Sequence, residues 1–161
     1  MKKLCILAFL AAISFFIYKQ VFAASDAYRA YASFADAMIH DKWKEARELA
    51  VGEPVLDLID EKERAPKILG YENYKFLRGV VHMGPFRTVD LEKTAPNGKS
   101  VTLRVTQDLR RGSATMAPVG PPTVRHKQEV VMVLTANGWK VNEFEEEVEN
   151  LGKDAGNDRE D

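Results

Sequence analysis

The sequence predicts an α+β domain, with helices first and a largely antiparallel sheet after them. Two observations carry this. Between Ser25 and Pro66 apolar residues recur at helical spacing, and after Gly70 the pattern turns to the alternation of β-branched and aromatic residues expected of strands. The stretch Val130 to Phe144 also reads as a hairpin turning at Asn137-Gly138, a pair suited to a type I′ turn because both central positions need φ > 0. Such a hairpin is rarely stable alone in water, so the earlier helices are its expected cover. The turn sets a register in which Ala136 faces Trp139, Leu134 faces Val141 and Val131 faces Phe144. Trp139, Val141, Leu134 and Met132 then share one face, and Phe144, Val131 and Val133 the other.

The chain of 161 residues fits one domain large enough to bury a core without disulfides or a structural metal. Its formal charge of −1 gives no whole-chain pointer to nucleic acid, and no nucleic-acid partner is expected. Met1-Lys2-Lys3, the uncharged run from Leu4 to Tyr18 and the small-residue pattern Val21-Phe22-Ala23 predict an export signal over residues 1–23. The alternative is an uncleaved anchor using residues 4–24, the chain's expected membrane contact. Either way residues 24–150 form one exported domain, periplasmic or facing the periplasm from the inner membrane. Cleavage after Ala23 removes Lys2, Lys3 and Lys19 and moves the formal charge from −1 to −4. Cys5, the single cysteine, lies in the export segment, so the folded part has no disulfide, thiol chemistry or cysteine-bound zinc to offer.

Ser25 is the expected N-cap of a first helix reaching about His40, with Ala27, Tyr31, Phe34 and Met38 inward, Ala30 and Ala35 beside them, and Arg29, Ser33 and Asp36 in solvent. Asp41 is the expected cap of a second helix, which buries Trp43, Ala46, Leu49 and Ala50 and stops at Gly52. Pro54 opens a third, with Val55, Leu58 and Ile59 inward, Asp60 and Arg64 paired outside and Pro66 as its limit. Strands are predicted over Tyr71 to Met83, Phe86 to Lys93, Ser100 to Leu109, Arg125 to Ala136 and Trp139 to about Val148. Gly84-Pro85 and Pro96-Asn97-Gly98 separate the first three. Val101, Leu103, Val105 and Leu109 alternate as one buried face, with Gln107 out of pattern. A long loop from Arg110 to Val124 holds Met116 and Val119, and the polar tail 151–161 is expected to be disordered.

This order of elements, ending in Asn137-Gly138-Trp139-Lys140-Val141-Asn142-Glu143-Phe144, resembles the nuclear transport factor two-like superfamily over roughly Asp26 to Val148. The resemblance implies a strongly curved sheet wrapping the N-terminal helices into a cone. It implies no single function, since the superfamily holds binding domains, scaffolds of secretion-type machines, and isomerases and dehydratases that place an Asp or His base in the cone.

No metalloprotease, nucleophile-elbow, phosphate-loop or calcium-loop motif is present. His40, His82 and His126 are too far apart in sequence to form a local metal motif, and no metal or cofactor is expected. Asp108 and His126 are the possible bases and Tyr28 and Tyr31 the possible oxyanion donors. None stands in an enzyme motif, so no residue is assigned a catalytic role. Asp108 is expected to pair with arginine, and His126, between Arg125 and Lys127, to lie on a solvated basic strand edge. A buried carboxylate or histidine beside Tyr31 in an open cone favours catalysis; a filled cone with both bases in solvent opposes it.

Tyr28, Tyr31, Phe34, Trp43 and Trp139 are the candidates to line a ligand cavity, the alternative being that these aromatics are core. Arg104, Arg110, Arg111, Arg125 and Lys127 gather around the long loop, while Glu143, Glu145, Glu146, Glu147 and Glu149 crowd the last strand. Such patches steer partners if the domain dimerises through its sheet or meets a cell-envelope protein, and are otherwise a solvated face. The leading expectation is a non-catalytic exported domain that binds a protein or a small apolar ligand. A membrane-anchored periplasmic assembly subunit and a lyase or isomerase are the alternatives.

Overall fold

Three helices lie against one face of a curved, open, four-stranded antiparallel sheet, the α+β arrangement that the pattern predicts. The computed structural model describes residues 25–70, 80–112 and 121–151, with backbone alone at 80–86 and 112. The expected export or anchor segment, the strand start from Tyr71 to Gly79, the loop residues Met116 and Val119, and the tail from 152 onward lie outside the described residues. Among the described residues no helix is long and apolar enough to cross a membrane.

Helix α1 (Asp26–Ile39) starts where predicted: Ser25 Oγ accepts from the Tyr28 amide at 3.1 Å, a cap contributing about 1 kcal/mol. Its inward stripe buries Ala27, Tyr31, Phe34 and Ala35, and also Tyr28 and Ala37. Helix α2 (Trp43–Glu48) corrects one expectation. Asp41 sits at φ +59 and is not the N-cap residue; that position is Lys42, which makes no side-chain capping bond. Aspartate tolerates the left-handed region better than most residues, and here it forms the corner between the helices. Ala46 is buried, with Trp43, Leu49 and Ala50 packed against the core.

Helix α3 (Glu53–Leu69) carries Pro54 in its first turn and buries Val55 and Ile59. It runs through Pro66 instead of ending there. The missing bond is the one from residue 66 to the Lys62 carbonyl, on an exposed turn where solvent can satisfy that carbonyl. Asp60 meets Arg64 at 3.8 Å as predicted. It also accepts from Arg47 at 2.6 Å, and Arg47 reaches Glu63 as well, so one guanidinium ties α2 to α3.

The strands β1 (Val80–Thr94), β2 (Ser100–Gly112), β3 (Val124–Thr135) and β4 (Gly138–Asn150) follow each other across the sheet. Gly84-Pro85 does not break β1. The register shifts between Met83 and Phe86, a bulge that absorbs a residue without a ladder N–H. The turn at Pro96-Asn97-Gly98 forms as expected, with Gly98 at φ +66. On β2 the buried face holds Val101, Leu103, Val105 and Leu109, and Gln107 is buried among them.

The β3–β4 hairpin differs from its predicted register. Thr135 faces Gly138, Leu134 faces Trp139 and Met132 faces Val141, so the two turn residues are Ala136 and Asn137. Asn137 does not take positive φ; Gly138 alone does, at +94, in the manner of a turn followed by a glycine bulge. The register shifts again between Val131 and Met132, where β4 carries Asn142 as an extra residue. One extra residue reverses the alternation. Phe144, predicted on the face opposite Val141, therefore joins it on the helix-covered face and meets Phe34 edge-on with ring centroids 5.7 Å apart.

The segment after α2 clamps this bulge. Val51 N donates to Val141 O at 2.9 Å and Val141 N to Leu49 O at 2.8 Å. Gly52 follows with ordinary φ, so its requirement is space: a Cβ there would stand 1.7 Å from the Asn142 carbonyl oxygen. Gly52→Ala should cost about 3 kcal/mol, read as a lower urea midpoint at unchanged slope. An unchanged midpoint would show that the clamp yields freely.

Candidate functional site

Past the bulge, β4 turns Phe144, Glu146 and Val148 toward the helices. Beside them β3 presents His126 and Gln128, and β2 presents Gln107 and Arg111, because alternate residues of each strand share a face. These side chains and the helices enclose a cavity of about 520 Å³. Phe34, Met38, Trp43, Leu58 and Phe144 form its apolar walls. Gln107, Arg111, His126, Gln128 and Glu146 form a polar end, and Lys62 reaches in from α3.

A hydrogen-bonded chain organises the polar end. The Tyr31 hydroxyl donates to Gln128 Oε1, and Gln128 Nε2 donates to Glu146 Oε1 at 2.6 Å. His126 Nδ1 lies 2.8 Å from the same carboxylate oxygen. Burial works to raise the Glu146 pKa, but the bonds from His126 and Gln128, with the charges of His126 and Lys62, hold it below the ordinary glutamate value. Glu146 is therefore an acceptor near neutrality, and Nδ1 carries the proton between them. Burial pushes the Tyr31 hydroxyl well above the usual tyrosine range, so it stays a donor.

His126 Nε2 is buried with no hydrogen-bond partner among the described residues, on a side chain only 10% exposed. An unpaired buried polar atom costs about 1–3 kcal/mol. Nearby, Arg87 donates to Asp36 Oδ1 at 2.5 Å. The Gln107 amide satisfies both its groups with its oxygen toward Arg87, 3.0 Å from Nε and Nη2, giving up a long 3.4 Å contact with Gln128.

Of the residues singled out in the sequence, Phe34 and Trp43 line the cavity. Tyr28 and Tyr31 are buried in the core, and Trp139 packs partly buried against it. His126 is not on a solvated edge. It is 8% exposed, on an inner strand's helix-facing side, because the β3 alternation points Arg125 and Lys127 outward and the residue between them inward. Asp108 pairs with arginine as expected, accepting from Arg125 Nε at 2.8 Å and Nη2 at 3.0 Å, bonds that lower its pKa. His40 ends α1 in solvent, and among the described residues no group of three metal-ligating side chains gathers.

Glu146 is the residue that sequence reasoning missed. It looked like one member of a solvated acidic run, and the bulge that turns it inward has no signature in residue type. On the outer face Arg104 pairs with Glu129 at 2.7 Å, and Lys127 with Glu149 at 3.4 Å.

No family model matches the chain, and no curated protein matches it. Among solved structures it is similar to the crystal structure of the intermembrane space region of chloroplast protein ARC6, at 16% identity and a TM-score of 0.37, over 71% of this chain and 95% of that one. A likeness at that level carries neither fold nor function across.

Because the folded pKa of Glu146 lies below its ordinary 4.5, the unfolded chain binds more protons in acid. The stability this group contributes is full above that ordinary value and is lost as pH falls through the depressed one. Glu146→Gln should flatten this part of the decline in urea midpoint between about pH 6 and pH 3; an identical decline in the variant would refute the assignment. Tyr31→Phe should cost about 1–3 kcal/mol at any pH, by leaving Gln128 Oε1 buried and unpaired.

Proposed function

We propose that this domain binds a small, largely apolar molecule with one polar group, held in the cavity between the helices and the sheet. The observation that carries the reading is a cavity of about 520 Å³ with aromatic and aliphatic walls and one polar end formed by Gln107, His126, Gln128 and Glu146. Ligand sites have this composition: apolar walls supply most of the affinity, and a few fixed polar groups orient the molecule. The nuclear transport factor two-like assignment belongs to the same proposal, supported by the order of helices and strands. So does the exported location, which rests on the sequence of residues 1–24. Pairing of copies through the sheet has less support, because cross-strand ion pairs already neutralise much of the outer face.

Acid–base chemistry on such a molecule is the second reading, favoured by the buried His126–Glu146 pair on the cavity wall. Tyr31 weakens it as an oxyanion donor, since its hydroxyl is committed to Gln128.

The test is titration of the full-length protein with the neutral dye N-phenyl-1-naphthylamine. Saturable binding is expected, accompanied by a change in the emission of the two tryptophans, Trp43 and Trp139. Met38→Trp, which sends an indole into the cavity, should weaken the dye at least about tenfold, or 1.4 kcal/mol. Absence of saturable binding to the unsubstituted protein, or indifference to Met38→Trp, overturns the proposal.

A further inference from the structure

We infer that the molecule taken up by this cavity is an uncharged aliphatic alcohol, its hydroxyl donating to Glu146 Oε2 and its chain lying over Trp43 and Phe34. This rests on the binding reading above and adds the chemistry of the ligand's head.

The polar atoms still available at that end fix the head. Gln128 Oε1 takes the Tyr31 hydroxyl, Gln128 Nε2 donates to Glu146, and the Gln107 oxygen faces Arg87. His126 commits Nδ1 to Glu146, and its Nε2 has no accessible surface to offer a ligand. Arg111 already has a partner. Glu146 differs from all of these. Its Oε1 meets both His126 and Gln128, while its Oε2 receives no bond from the described residues. The side chain also keeps 28% of its surface accessible and lines the cavity. The uncommitted atom is an acceptor, so the complementary group on a ligand is a donor.

Charge then decides between donors. The Glu146 carboxyl is held below the ordinary glutamate value, so near neutrality it is ionised and a bond to it is charge-assisted. A carboxylate head would meet it as a like charge. An ammonium head would be drawn to Glu146 but would also meet Lys62, the cation on the same wall whose charge Glu146 already feels. It would lose hydration there that one carboxylate oxygen cannot replace. A hydroxyl suits both neighbours, since it donates to Glu146 and keeps lone pairs open to the Lys62 ammonium. The rest of the ligand is hydrocarbon, because Phe34, Met38, Leu58 and Phe144 offer it only apolar surface.

The test uses four probes that share one tail. 1-Octanol, 1-methoxyoctane, octanoate and octylammonium each compete with N-phenyl-1-naphthylamine for the full-length protein. Octanol is expected to displace the dye at a concentration about tenfold below that of methoxyoctane, although the added methyl group, by burial alone, would reverse that order. Octanoate and octylammonium should both be weaker than octanol. Glu146→Gln should cut octanol's advantage over the ether severalfold, and Lys62→Met, on an exposed turn of α3, should strengthen octylammonium relative to octanol. The probe series on the unsubstituted protein decides the matter even where Glu146→Gln folds poorly. Methoxyoctane matching octanol, a charged probe binding more tightly than octanol, an octanol advantage that survives Glu146→Gln, or octylammonium indifferent to Lys62→Met overturns the hydroxyl head and leaves the cavity reading standing. Failure of the dye itself to bind removes both.

Discussion

One close approach sets the phase of the last strand: the backbone of Gly52 against the Asn142 carbonyl, with no room for a Cβ. The clamp from Leu49 and Val51 pins Val141 on one side of it. The strand takes up the extra length as a bulge at Asn142, and its alternation reverses beyond that point. Everything distinctive about the concave face follows from this reversal. Without it Glu143, Glu145 and Glu147 would face the helices, a burial of unpaired charge that no fold tolerates.

The reversal places a single acidic residue, Glu146, where its charge can be satisfied. Its neighbours on β3 are the residues able to do so: Gln128 directly across the ladder, and His126 two residues before it. Tyr31 then links this pair to α1 through Gln128. The same chain of bonds does two things. It joins the first helix to the sheet through a buried polar contact that is costly to break, and it orients the histidine through Nδ1, which is engaged by Glu146.

The outer face of the sheet tells a different story. Arg104, Arg125 and Lys127 pair with carboxylates on neighbouring strands, so these basic side chains are neutralised locally. Exposed pairs of this kind contribute little to stability.

Most of the architecture was legible in the sequence, because periodicity, caps and turns are local. Ser25 capped α1, the α1 stripe went inward, β2 alternated as read, and Asp108 met an arginine. The departures share one physical character. Asp41, Pro66, Gly84-Pro85 and the Asn137-Gly138 turn were each assigned their commonest local role, and each was overruled by a corner, a solvated turn or a bulge that neighbouring elements stabilise. The candidate site was the least legible part. Phe34, Trp43 and His126 could be named as types, but the sequence by itself determined only that helices cover a sheet and that aromatic residues lie between them. That Glu146 turns inward to meet His126 was decided by tertiary structure alone, because the side of a strand on which a residue lies depends on every bulge before it, and this bulge is set by Gly52, on a helix entrance far away in the chain.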